Sequence, residues 1–315
     1  MKFLVTGGAG FIGSNLVEYL VKKNHKVIVL DNFHTGNPSN LKPVLHKIRF
    51  IKSPVKHINN YKFYRLNGIF HLGISSSSPM YKENPFLVNS SIEEFIKIME
   101  FAKKTKIKTV FASTSSLYNG LKPPHKEDME ILPTDYYTEA RYAMERIAKV
   151  YNLLYNVKAI AMRFFSVYGK NEVSKGKYAN LVTQFLLLMM RGKKPVIYGN
   201  GKQTRDFIYV EDVVKALLLA MESDSDYEIF NVGTGAGTSI NNMVKLLNRT
   251  LGTSIKPIYV TNPIKNYVLH TKADTKKAKM KLGFSAKYSL ETGIKKLVNF
   301  YNRLNLSRYH LIRTR

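Results

Sequence analysis

The chain of 315 residues contains no cysteine and no tryptophan, and it is short of acids, with 22 Asp and Glu against 49 Lys and Arg. Without cysteine there are no disulfides, thiol nucleophiles or thiolate metal sites. The eight histidines are scattered without ligand spacing, so no metal is expected. No apolar run approaches the ~20 residues that span a bilayer. The opening Met1-Lys2-Phe3-Leu4-Val5-Thr6-Gly7-Gly8 lacks the longer apolar stretch and cleavage site of a signal peptide. A cytoplasmic protein with no membrane partner is therefore expected. The shortage of acids leaves a net charge of +27 and a pI near 9.9, which draws anions to the surface. The lysines are spread along the chain, however, and this favours a solvated basic exterior over a nucleic-acid partner. Residues 303–315 alone read as a basic tail. Abundant Lys, Ile and Tyr with no Cys or Trp would also suit a thermophile.

What is present is the composition of a folded protein, 44% hydrophobic and 23% charged. At ~100 to 200 residues per domain the length allows two subdomains. Apolar, β-rich runs at 2–6, 26–31, 48–52, 69–72, 109–113 and 157–164 alternate with helical patterns. Such runs predict a doubly wound parallel sheet with helices on both faces. After about residue 165 the pattern changes to helical segments at 181–191, 213–222, 240–251 and 290–302 among short strands and Gly-rich turns. The expectation is an α/β fold, with a Rossmann domain over 1–165 and a smaller, interleaved substrate domain over 166–315. The polar stretches 173–178 and 260–272 read as loops of the kind that line a cleft.

The first strand runs into Gly7-Gly8-Ala9-Gly10-Phe11-Ile12-Gly13 and then an amphipathic helix. Gly7 permits the tight turn, Gly10 lets backbone N–H groups approach a pyrophosphate at the positive helix end, and Gly13 lets helix and strand pack closely. Asp31 closes the next strand 18 residues after Gly13, where a carboxylate can take both hydroxyls of an adenosine ribose. That carboxylate repels a 2′-phosphate, and Asn32-Phe33-His34 offers no arginine to receive one. NAD is expected over NADP.

A strand end at Ser113-Thr114-Ser115-Ser116 is followed by Tyr137-Thr138-Glu139-Ala140-Arg141. Tyr137 and Arg141, four residues apart on a helix, share a face, and a fixed cation there favours the phenolate that proton transfer needs. With TGGAGFIG, VIVLDNFHTG, IFHLG, MRFFSVYG and GNGKQTRDFIYVEDV, these marks make nearly the whole chain similar to the extended short-chain dehydrogenase/reductases, the NAD-dependent nucleotide-sugar epimerases and dehydratases, UDP-glucose 4-epimerase most of all.

The resemblance implies roles. Tyr137 matches the reactive tyrosine, Arg141 stands where the family has lysine, and Thr114 matches the hydroxyl on the reacting sugar oxygen. Gly7, Gly10, Phe11, Ile12, Gly13, Asp31, Asn32, Leu72, Gly73, Ser113, Tyr137 and Arg141 match the cofactor site. On the substrate side Ser166 replaces the family's asparagine, Asn180 and Leu181 match residues over the diphosphate and sugar, Val196 and Tyr198 those flanking the uracil, and Arg205 the diphosphate arginine. The family's second phosphate arginine is missing, so Lys265, His270 or Lys272 would have to compensate. Ser53-Pro54 stands where an adenine-side aspartate is usual. The dehydratases carry Asp-Glu where this chain has Ser115-Ser116, and the UDP-glucuronate decarboxylases a Glu at Ser116. What remains is 4-epimerisation of a UDP-sugar by transient oxidation at C4, in a homodimer if the family pattern holds. Thr271 occupies a position that is bulky in epimerases confined to plain hexoses, so the N-acetylated pair is expected to fit as well. Two alternatives stay open: a UDP-glucuronate decarboxylase or other nucleotide-sugar modification, and a weakly catalytic basic NAD-binding protein that binds nucleic acid.

Overall fold

The computed structural model describes residues 1–304, so all of the basic stretch except Arg303 and Leu304 lies outside the described residues. The chain opens with β1 (Lys2–Thr6), α1 (Phe11–Lys22), β2 (Lys26–Asp31), β3 (Ile48–Lys52) and β4 (Gly68–His71), followed by α2 (Ser78–Glu83) and α3 (Leu87–Thr105). Next come β5 (Thr109–Thr114), α4 (Tyr136–Tyr155), β6 (Ala159–Phe164), β7 (Ser166–Tyr168) and α5 (Leu181–Met189). Short strands β8 (Val196–Tyr198), β9 (Thr204–Arg205) and β10 (Phe207–Tyr209) precede α6 (Val210–Glu222) and β11 (Tyr227–Val232). The chain then forms β12 (Thr238–Ser239), α7 (Ile240–Leu251), β13 (Ile258–Val260), α8 (Lys276–Leu282) and α9 (Leu290–Arg303).

Seven strands form one parallel sheet in the order β11-β6-β5-β4-β1-β2-β3. It is the doubly wound architecture that the alternating runs predict. Its strands read as continuous apolar runs because both faces are covered. Alternate residues divide between them: Phe3 and Val5 pack with Leu16, Val17 and Leu217 on one side, and Leu4 packs with Phe95, Ile98 and Met144 on the other. β11 is the seventh strand of this sheet although it lies well beyond residue 165, so the chain returns to the first layer after building β7 to β10. A separate core of Phe185, Leu186, Ile240, Met243, Leu247, Leu297 and Tyr301 holds the smaller layer together.

The element ends differ from the sequence pattern where local chemistry intervenes. β6 starts at Ala159, after α4 has ended on Asn156 in the left-handed conformation (φ 54°) and the Lys158 carbonyl has accepted the first β5 N–H, from Thr109. α6 starts at Val210, with Glu211 and Asp212 in its first turn, where acids suit the positive helix end. The stretch expected as a loop at 173–178 is a kinked 3-10 segment, Glu172–Tyr178.

Candidate active site

The strand order reverses between β1 and β4, and in open α/β sheets a ligand crevice forms outside the carboxyl ends of the strands at that point. A cleft of about 330 Å³ opens there, lined by Gly7, Gly10, Phe11, Ile12, Gly13, Leu72, Ser113, Thr114, Tyr137 and Arg141. A smaller hollow of about 90 Å³ continues past Asp31, Asn32, Ser53, Pro54 and Gly73. On the other side a cavity of about 570 Å³ shares Ser78, Ser115, Ser116 and Ser166 with the cleft and adds Arg205, Tyr267 and Thr271.

The cleft exists because glycines leave it open. Gly7 has φ +68°, and a Cβ there would stand 2.5 Å from the Gly73 backbone. A Cβ on Gly13 would overlap the Gly7 carbonyl oxygen. Helix α1 therefore starts directly beneath the turn, with first-turn N–H groups facing the cleft. The buried Asp31 carboxylate accepts N–H groups from Ala9 (2.8 Å) and Phe33 (2.7 Å), which fixes it at the rim of the hollow. Burial raises its pKa while these two bonds oppose the shift. Each carboxylate oxygen keeps a lone pair for a ribose hydroxyl.

Tyr137 lies in the first turn of α4, whose N-cap Asp135 forms a capping box with Thr138. Its ring packs against Tyr81 at 5.4 Å between centroids and lies 5.2 Å from the Arg141 guanidinium. Arg141 is buried and its fork donates to the carbonyls of Ser75 (2.7 Å) and Ala112 (3.2 Å). It thus supplies a fixed charge under the phenol and ties β5 to the strand-end loop after β4. His71, fully buried beside it, hydrogen-bonds Thr6 Oγ1 through Nδ1 at 2.8 Å. Burial first, and the Arg141 charge second, push its imidazole down to about 3, so His71 is neutral at working pH. Thr114 Oγ1 accepts the Ser116 N–H (3.1 Å), leaving its O–H free to donate into the cleft.

Several cleft groups have no sequence signature. The Ser76 and Ser77 hydroxyls are buried, without a partner, and line the cleft, so they are available to a cofactor's polar atoms. Lys175 also lines it. Its carboxylate neighbour Glu172, at 3.9 Å, is already engaged by Thr183 Oγ1 (2.5 Å) and the Asn180 N–H (2.8 Å). The run of serines in 75–78 and the lysine after a polar turn were the available signals, and neither is distinctive without the fold.

On the substrate side the predicted residues are brought together unevenly. Ser166 and Asn180 line the cleft, and Arg205 and Thr271 line the larger cavity. Leu181 instead packs against the core of the smaller layer, and Val196 is exposed on β8. Tyr198 faces a separate depression with Gln203, Asn262 and His270, joined to the larger cavity through Tyr267. The Arg205 fork donates to the carbonyls of Thr204 (2.9 Å), Val268 (2.5 Å) and Leu269 (3.1 Å), so it holds the 260–272 loop in place. None of the three compensating cations lines the larger cavity among the described residues; Lys82 does. Two carboxylates stand there, Glu83 and Asp135, which the reading of positions 115 and 116 did not foresee. Both are engaged: Glu83 with Lys177 (2.7 Å) and Tyr178 (2.6 Å), Asp135 with Thr138 and Ser78.

A glycine turn under a helix, a buried carboxylate at the end of the second strand and a phenol with its cation, along one crevice of a doubly wound sheet, define a dinucleotide-dependent enzyme. The model of the NAD dependent epimerase/dehydratase family matches residues 3–233, and the chain belongs to that family. A putative UDP-glucose 4-epimerase of Methanocaldococcus jannaschii is 35% identical over 310 residues, covering 96% of this chain and 99% of that protein. A UDP-N-acetyl-α-D-glucosaminuronate decarboxylase of Bacillus cytotoxicus is 29% identical over 320 residues, covering 96% and 98%. The crystal structure of UDP-glucose 4-epimerase from Thermotoga maritima with UDP-glucose superposes with a TM-score of 0.91 at 33% identity, covering 97% of this chain and all of that one. The cofactor is NAD, and the cradle at Gly7 and Gly13, the Asp31 carboxylate and the unpartnered Ser76 and Ser77 hydroxyls fit it.

Proposed function

We propose that the protein interconverts UDP-glucose and UDP-galactose by epimerisation at C4, and accepts the N-acetylated pair. The observation that carries this reading is the state of the carboxylates around Tyr137. Positions 115 and 116 carry hydroxyls, and the two acids of the larger cavity are held by Lys177, Tyr178, Thr138 and Ser78. No free carboxylate stands there for water elimination among the described residues, which favours chemistry at a single carbon. NAD supplies transient oxidation and re-reduction at that carbon. Tyr137 Oη takes the proton of the 4-hydroxyl and returns it, Thr114 donates a hydrogen bond to the same oxygen, and Arg141 keeps the positive charge in place.

Incubation with UDP-glucose, UDP-N-acetylglucosamine and UDP-glucuronate tests this. The 4-epimers of the first two are expected, and a pentose product from the third would establish decarboxylation instead. Thr271 is buried and its Oγ1 accepts the Asp206 N–H at 3.2 Å. Thr271→Tyr is expected to impair the acetylated pair selectively, and equal loss on both pairs would place Thr271 away from the C2 substituent.

Lys175 is taken as the cation that meets the NAD pyrophosphate, since the Arg141 fork is already engaged by carbonyls. Asn171 bonds Ser14 Oγ (3.0 Å) and Asn40 bonds both the Ala9 carbonyl (2.9 Å) and Ser174 Oγ (3.2 Å), which holds this segment against the glycine turn. Lys175→Gln is expected to weaken NAD binding about tenfold or more, the scale of one charge-assisted hydrogen bond. An unchanged affinity in a calorimetric titration would remove Lys175 from the site.

We propose that a homodimer forms through α4, whose outer side exposes Val150, Leu153 and Leu154, with Ile96 on the adjacent α3. Leu153→Glu with Leu154→Glu is expected to convert a dimer into a monomer in light scattering. A wild-type monomer, or a variant that stays dimeric, would refute this assignment.

A further inference from the structure

The end of the sheet remote from the cleft carries a row of cations that the reaction does not use. In sheet order, β3 is entered from Lys47, β2 begins at Lys26, β1 begins at Lys2, and Arg65 precedes β4 by three residues. Neighbouring strands lie about 4.8 Å apart, so the row extends about 15 Å across four strands. Lys26, Lys47, Lys62 and Arg65 are exposed, and Lys2 Nζ reaches the Tyr64 carbonyl at 2.9 Å, which draws the 62–65 turn to the row. None of these five cations is ion-paired among the described residues. The shortage of acids is local here: residues 32–82 contain no Asp or Glu.

The row has a definite end. At β6, Lys158 pairs with Asp226 at 2.8 Å, and the Lys108 ammonium before β5 is turned onto the Ser223 carbonyl. Helices α1 and α3 add Lys22, Lys23, Lys103, Lys104 and Lys106 to the same edge, where cations suit helix C-termini. Glu18 and Glu100 take up Lys22 and Lys103, and Glu222 stands close enough to His25 to influence it. Helix ends do not account for Lys2, Lys26, Lys62 and Arg65, which stand on strands and turns, and Lys47 closes only a three-residue 3-10 turn, Leu45–Lys47. Two tyrosines of this edge are exposed: Tyr19 (41%), with the Lys23 ammonium 5.9 Å from its ring centre, and Tyr64 (66%), next to Arg65 in the turn that Lys2 reaches.

We infer that this edge binds single-stranded nucleic acid, with phosphates on the row and bases stacked on Tyr64 and Tyr19. Cations with interleaved aromatic faces match a strand's alternation of charge and π-surface. The even spread of lysines in sequence concealed the patch, because parallel strands bring the starts of distant segments to one edge. The cleft lies at the other end of strands about 17 Å long, so binding and turnover are separable.

The test is fluorescence anisotropy with a labelled 20-nucleotide RNA of mixed sequence, using the full chain loaded with NAD. Binding is expected at 50 mM salt and about 50-fold weaker at 200 mM, as four phosphate contacts on a single strand imply. The triple variant Lys26→Glu, Lys47→Glu, Arg65→Glu is expected to lose at least about 100-fold in affinity at low salt while NAD binding and turnover are unchanged. The Lys→Gln, Lys→Gln, Arg→Gln form of the same triple serves if charge reversal impairs folding. Tyr64→Ala is expected to weaken binding about fivefold or more at unchanged salt slope, and charge reversal at Lys276 and Lys279 on α8 to change little. No RNA binding at 50 mM salt overturns the proposal. So does equal binding by the triple variant and the wild type, or capture by phosphatidylserine vesicles, lost in the triple variant, without RNA binding.

Discussion

Tyr137→Phe removes turnover on the UDP-hexose pair, with kcat falling about 10³-fold, in the range that general acid–base groups contribute, while NAD stays bound. The separation follows from the packing. The ring is held by Tyr81 and Arg141, and phenylalanine fills the same space, so only the phenolic oxygen, the proposed proton carrier, is lost. Arg141→Lys should in turn keep activity but loosen the strand-end loop, because an ammonium cannot reach the Ser75 and Ala112 carbonyls with one planar fork. The measurement pairs steady-state turnover with an NAD titration. A Tyr137→Phe variant at wild-type rate would assign the proton to another group, and one that no longer binds NAD would make the tyrosine a scaffold residue.

Arg163→Met destabilises the protein by about 3–5 kcal/mol, the cost of leaving one member of a buried ion pair uncompensated. Arg163 sits on β6, between β5 and the edge strand β11, almost wholly buried, and its fork meets both Glu145 oxygens at 2.9 and 2.7 Å. Burial opposes its charge, but the Glu145 carboxylate holds the guanidinium protonated above its ordinary range. The pair is part of a network. Arg163 also donates to Tyr118 Oη (2.8 Å), Tyr118 donates to Asn231 (2.8 Å), and Ser113 Oγ donates to Glu145 at 2.5 Å. Ser113 lines the cofactor cleft, so the variant should also weaken NAD binding. Urea denaturation of Arg163→Met, and of Arg163→Met with Glu145→Met, checks this: the double change should recover part of the loss. A loss below about 1 kcal/mol in the single variant would mean that water or rearrangement replaces the pair.

The glycine turn, Asp31 and the Tyr137–Arg141 spacing were legible in the sequence because each depends on a local relation. A turn needs φ above zero within a few residues, and a helix presents positions four apart on one side whatever surrounds it. The doubly wound sheet was legible for a related reason, since strands covered on both faces must be apolar throughout. Relations across the fold were not legible. Sequence matching put Leu181 and Val196 at the substrate; in the fold Leu181 packs on the smaller core and Val196 is exposed on β8. The carboxylates Glu83 and Asp135 reach the larger cavity from α2 and from the cap of α4. Ser76, Ser77 and Lys175 meet at the cleft although almost a hundred residues separate the serines from the lysine.

Residue type and short-range spacing thus determined the cofactor and the fold class and set Tyr137 and Arg141 on one helix face, since a few covalent and helical distances are enough to specify them. Only the tertiary structure decided which cations and acids are free. A charge becomes available or engaged through partners brought close by the crossing of strands: Arg141 and Arg205 are tied to carbonyls, Glu83 to Lys177, and Lys26, Lys47 and Arg65 are left without an acid at the far edge of the sheet.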